Sequence, residues 1–155
     1  MPPFRLPVLA ATAVCVALLT GCGSDGSSTK KSYRVAFAYL NLDIVSTGQE
    51  VAKAVTTANT KTNPEVAVDF ARISQTAGLI AGSLARLTPP KELKADHVLL
   101  IRGMRREAGK LSLIVTAALK GDAAGAKAAT IGVQQASSGI RGPRLRLVKK
   151  LNLAH

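Results

Sequence analysis

The 155-residue chain has no tryptophan, two cysteines, two histidines and nine acidic side chains. Each scarcity excludes something. Two cysteines cannot build a disulfide framework, so the fold must be held by packing. No Glu-x-x-His pair occurs: Leu93 and Lys94 stand where the acid would precede His97. A carboxylate-bridged di-metal site needs several inward Glu and His side chains, which are absent. No Gly-x-Ser-x-Gly turn and no serine–histidine–acid arrangement is visible. Three phenylalanines and two tyrosines are too few to interleave with the basic residues as base-stacking platforms.

Long apolar runs are also missing, with one short exception. Leu6–Leu19 is uncharged and apolar, preceded by Arg5 and followed by Thr20, Gly21 and Cys22. As a helix this stretch rises about 21 Å, short of the roughly 30 Å hydrocarbon core of a bilayer. A positive start, a short apolar region and small residues at its end predict a removable signal peptide over 1–21.

The end of that segment, Leu19-Thr20-Gly21-Cys22, resembles the lipobox of bacterial lipoproteins. The resemblance implies that the Cys22 thiol receives a diacylglyceryl group. Cleavage then falls just before it, and the new amino terminus is acylated. Two or three acyl chains make a lasting anchor, since each buried methylene contributes about 0.8 kcal/mol. Cys15 leaves with the signal peptide. The mature chain then holds one cysteine, already alkylated, and too few Cys and His for structural zinc. The expected location is the cell membrane, lipid-anchored on its extracytoplasmic face.

Residues 22–32, with the run GSDGSSTKKS after Cys22, are small, polar and free of aromatics, which predicts a flexible tether reaching about 35 Å at most. Residues 33–155 form one domain of ordinary size. Its prolines, Pro64, Pro89, Pro90 and Pro143, fall between periodic segments and predict helices punctuated at their ends.

The second segment is the most regular. Val66, Phe70, Ile73, Ala77, Ile80, Leu84 and Leu87 alternate steps of four and three, an amphipathic helical stripe. Asn63 is the expected cap, with Pro64 in the first helical position and Glu65 beside the positive helix end. In the third segment Leu93, His97, Leu100, Met104, Ala108, Leu111, Val115 and Ala118 share a face, and Gly121 suits a left-handed helix end. Asp122 caps a fourth helix over 123–139, weakened by Gly125, Gly132 and Gly139. The first helix, Tyr33 to Thr60, turns Phe37, Leu40, Ile44, Val51, Val55 and Ala58 inward, with an interruption at Ser46–Gly48. Only Arg144–Val148 hints at strand alternation. The expected fold is all-α, an antiparallel up-down four-helix bundle.

Candidate chemistry is sparse. His97 and Met104 lie about 10 Å apart along one helix and cannot ligate one haem iron from opposite sides; both are expected in the core. Asp43, Glu50 and Asp69 read as solvated positions. No cofactor or metal is expected, and no catalytic residue.

Charge is the remaining signal. Of 21 Lys and Arg only Arg5 precedes Cys22, which leaves a surplus of about +11 over the nine acids. Export removes nucleic acid as a partner, leaving anionic lipid and cell-envelope polymers. Two groups are candidates for an anionic surface: a ridge of Arg102, Arg105, Arg106 and Lys110, and the acid-free tail 141–155 with Arg144, Arg146, Lys149 and Lys150. A helical tail would gather Leu147, Val148 and Leu151 on one side, as a bilayer-lying segment does. The expected function is a membrane-anchored, non-enzymatic binding or scaffolding module; its protein partners are not legible. The alternatives are a carrier of a small apolar ligand, with Gly78, Ala81, Gly82 and Ala85 lining a gap, or an enzyme with a scattered site.

Overall fold

A computed structural model describes residues 26–153. Four helices account for nearly all of them: α1, Gly26–Thr57; α2, Asn63–Ala85; α3, Lys94–Lys120; and α4, Ala123–Lys150. Short 3₁₀ turns at Ala58–Thr60 and Lys91–Leu93 lead out of α1 and into α3. The fold is all-α, as the periodicity predicts. Successive helices run antiparallel: Glu50 of α1 meets Arg72 of α2, Ser74 of α2 meets Ser112 of α3, and Glu107 of α3 meets Ser137 of α4. The α2–α3 and α3–α4 seams are the closely packed ones. By contrast α1 approaches α2 less closely and α4 least of all. Thus α3 lies between α2 and α4, across the bundle from α1.

The core follows the stripes. Phe37, Phe70, Ile73, Leu84, Leu93, Leu100, Met104 and Leu111 are fully buried. On α3 the strict four-three rhythm continues through Glu107 and Ile114, both buried, while Ala108 and Val115 are only partly covered. Thr47 sits in the core as well, because its Oγ1 donates to the Asp43 carbonyl at 2.8 Å and needs no other partner. Helix α1 runs unbroken through Ser46–Gly48.

Four boundaries differ from expectation. First, α1 begins at Gly26, so residues 26–32 of the expected tether are helical. Extending a long helix adds a hydrogen bond per residue without a new nucleation cost, which overrides weak local propensity. Second, α1 ends at Thr57, with a 3₁₀ turn carrying the chain to Thr60. Third, α2 is capped by Thr62, whose extended backbone precedes Asn63; the Glu65 carboxylate accepts from the Thr62 amide at 2.8 Å and from its hydroxyl at 2.7 Å. Fourth, α4 passes through Pro143 to Lys150, and 144–148 is helix rather than strand. The carbonyl that Pro143 leaves without its helical donor belongs to Gly139. Beyond it Leu147, Val148 and Leu151 are buried and hold the last turns.

The α3–α4 hairpin is closed as its residues predict. Gly121 adopts φ +67°, and the Gly125 amide donates to Asp122 Oδ1 at 2.8 Å. Of the α2 residues expected to line a gap, Ala81 is buried, Gly82 is half-buried, and Gly78 and Ala85 are exposed.

Candidate functional site

The sequence-marked residues separate into three places. One is a polar cluster at the end of the bundle where α1 and α3 begin and α2 and α4 finish. Burial of the α3 stripe puts His97 in the core, 3% exposed. Its Nδ1 lies 2.8 Å from the Tyr33 hydroxyl, and the ring also hydrogen-bonds the Leu84 backbone. Donating to that carbonyl leaves Nδ1 to accept from tyrosine. Burial lowers the His97 pKa, partly opposed by the Leu84 bond, so the ring is neutral at neutral pH. Burial and the nearby Asp96 charge raise the Tyr33 pKa. Tyr33 also stacks on Phe37, with ring centroids 5.8 Å apart. Met104 packs in the core.

Beside this pair, Asp96 is buried and accepts from Arg146 Nε at 2.7 Å and Lys150 Nζ at 2.9 Å. Burial alone would raise its pKa; the hydrogen bonds and charges of Arg146 and Lys150 outweigh that and hold it below the ordinary value. Arg34 donates to the Asn152 carbonyl at 3.1 Å. These bonds tie the end of α4 to α3 and α1. Two of the tail cations, both partly solvent-exposed, therefore share the one buried Asp96 carboxylate, and the apolar side of the tail packs in the core. Arg144 donates to Asn41 at 3.0 Å. Lys149 is exposed.

The second place is a groove along the loose α1–α4 seam, about 370 Å³, lined by Ile44, Val45, Ala52 and Ile140 with Arg141 and Arg144 among its polar residues. Glu107 also lines it, 3% exposed, accepting from Ser137 Oγ at 2.5 Å. Sequence reasoning missed Glu107, although it stands three residues after Met104 and four before Leu111 in the α3 rhythm. Burial raises its pKa, and the Ser137 bond only partly offsets this. No second acid and no histidine joins it among the lining residues, so the groove offers a hydrogen-bonding point rather than an acid–base pair. Among the described residues no group of three His, Cys, Asp or Glu side chains is placed to hold a metal ion.

The two buried carboxyls impose opposite pH dependences. Glu107 is raised in the folded state, so its cost is present at pH above the folded pKa and vanishes below the unfolded one. Asp96 is lowered, so its contribution is present above the unfolded pKa and lost as pH falls through the folded one. Neutral His97 acts in the same direction as Asp96, because the unfolded chain protonates first on acidification. Glu107→Gln keeps an acceptor for Ser137 and removes the buried charge. It should raise the melting temperature at pH 7 and lose that advantage at pH 4; a gain that is constant across this range would contradict the assignment.

The third place is the outward side of α3. Arg102, Arg105 and Arg106 are exposed, and Lys110 lies half-covered against Gly132 of α4. Among the described residues no ion pair or hydrogen bond engages the three arginines. The only acids on α3 are Asp96 and Glu107, and both are buried. Its surface is therefore cationic without a compensating carboxylate. The ridge and the tail are distinct: the ridge faces away from α1, while Arg144 turns toward it.

Cys22, and with it the signal-peptide and lipobox readings, lies outside the described residues. No described helix is long and apolar enough to cross a membrane. No family model, curated protein or solved structure matches the chain.

Proposed function

We propose that the protein is a lipoprotein anchored through Cys22 to the extracytoplasmic face of the cell membrane. Its helical domain is a non-enzymatic binding or scaffolding module that presents the ridge of Arg102, Arg105, Arg106 and Lys110 to polyanions of the cell envelope. The observation that carries this reading is the charge segregation on α3. A helix that buries both of its acids and leaves its arginines unpaired keeps an exposed positive field available to a partner. Arg146 and Lys150, committed to Asp96, contribute less to that field than the sequence alone suggests.

Binding of the full-length chain, held in detergent micelles, to linear polyphosphate tests this. Each cation near an anionic surface is worth about 1 kcal/mol. The Arg102→Gln/Arg105→Gln/Arg106→Gln variant should therefore bind roughly a hundredfold more weakly. Affinity of the unsubstituted chain should fall steeply as added salt shortens the screening length. Binding that ignores both salt and the triple substitution would refute the reading.

A further inference from the structure

The outward side of α1 is apolar where a solvated helix would be charged. Val35, Tyr39, Leu42 and Val45 are 54, 70, 65 and 38% exposed. With 100° per residue, positions 31, 35, 38, 42, 45, 49 and 53 fall on one stripe. They read Lys, Val, Ala, Leu, Val, Gln and Lys, an apolar centre with a cation at each end. The acids of α1 are turned elsewhere: Glu50 pairs with Arg72 of α2, and Asp43 lines the α1–α2 seam with Thr76 and Ser83. On the other flank the stripe meets α4, which has no acid after Asp122 and offers Arg141 and Arg144 at the rim.

We infer that this face of α1, with the neighbouring rim of α4, lies flat on the surface of an anionic bilayer. The inference deepens the proposed function and rests on anchoring through Cys22. Three residues, Gly23 to Asp25, separate Cys22 from Gly26, four Cα–Cα steps that span about 14 Å at most when extended. The stripe then starts about 14 Å further along α1, at Val35. A domain leashed so closely keeps α1 near the headgroups, and an interfacial helix sinks its apolar side about 5–10 Å into the headgroup–acyl boundary with cations beside it. The arrangement also settles orientation. With α1 against the bilayer, the α3 ridge on the far side of the bundle faces the envelope.

The absence of tryptophan supplies the test. Leu42→Trp places a single reporter in the stripe, and Leu113→Trp places one on exposed α3. Each full-length chain is reconstituted into vesicles containing phosphatidylglycerol and phosphatidylcholine, with or without brominated acyl chains. The Leu42→Trp emission should shift to the blue and be roughly halved by brominated lipid at a depth of about 5–10 Å, while Leu113→Trp stays open to aqueous iodide. Adding Lys31→Gln/Arg141→Gln, both exposed positions, should weaken the bromine quenching on anionic vesicles. Emission from Leu42→Trp that brominated lipid leaves unchanged and iodide quenches would overturn the inference. So would bromine quenching of Leu113→Trp, or a Leu42→Trp reporter shielded from both quenchers in a cross-linkable dimer, which would make a second copy the occupant. Intact mass of the same preparations reports acylation separately. An acylated chain with a wet stripe defeats the inference alone; an unacylated chain whose stripe still inserts defeats the anchor alone.

Discussion

Cys22→Ala should abolish incorporation of a labelled fatty acid into the protein, whereas Cys15→Ala should leave incorporation unchanged. This is the sharpest expected contrast in the molecule, because the two cysteines sit seven residues apart and only one follows Leu19-Thr20-Gly21. The physical stake is attachment. A single acyl chain holds a protein weakly and reversibly, while a second and third make the attachment lasting. No described helix offers a substitute by spanning the bilayer. Metabolic labelling followed by detergent phase partitioning checks both halves: the unsubstituted chain should be labelled and enter the detergent phase. Label retained in Cys22→Ala, or lost in Cys15→Ala, would show that the thiol at 22 is not the acceptor.

Phe37→Ala carries the largest expected cost to the fold. Its ring is fully buried, stacks on Tyr33, and lies one turn from the residue that hydrogen-bonds His97. Truncating such an aromatic costs about 3–5 kcal/mol, a large share of the 5–15 kcal/mol typical of a whole domain. For a chain of this size the melting temperature should fall by roughly 10–20 °C. The loss should be uneven. The α1–α4 seam is the loosest in the bundle, so α1 amides should exchange first, with α2 and α3 keeping their protection longer. A loss below about 1 kcal/mol with unchanged exchange along α1 would show that Phe37 does not dock that helix.

The second prediction concerns α1, the element least legible in the sequence. In α2 the stripe from Val66 to Leu87 could be read directly, since each apolar residue recurs at the helical period and nothing polar intrudes. The core of α3 was nearly as plain, but its rhythm passes through a carboxylate, and pattern reading steps aside to Ala108. Only the Ser137 hydroxyl, supplied from thirty residues away, makes a buried Glu107 tolerable. Asp96 was invisible for the same reason: its partners Arg146 and Lys150 come from the end of α4. A proline and three glycines suggested that α4 stops near 139. Tertiary contacts overrode them, because Leu147, Val148 and Leu151 complete the core. The tail thereby loses the free apolar side that a bilayer-lying segment needs. In its place α1 shows a stripe that sequence reading, attentive to the inward set, left unremarked.

The ridge fares differently. Arg102, Arg105, Arg106 and Lys110 could be picked out by spacing alone, yet their isolation from acids could not. That follows from burial of Asp96 and Glu107, which only packing reveals. Local pattern thus located the cations, and three-dimensional structure determined which of them remain uncompensated.

In the proposed reading, membrane attachment through Cys22 underlies both the orientation of α1 and the outward display of α3. The most direct measurement is the intact mass of the protein purified from its native membrane. A chain starting at residue 22 and heavier than its polypeptide by a diacylglyceryl group and an amino-terminal acyl chain is the predicted result. An unmodified polypeptide, beginning at another residue or still carrying 1–21, would contradict it.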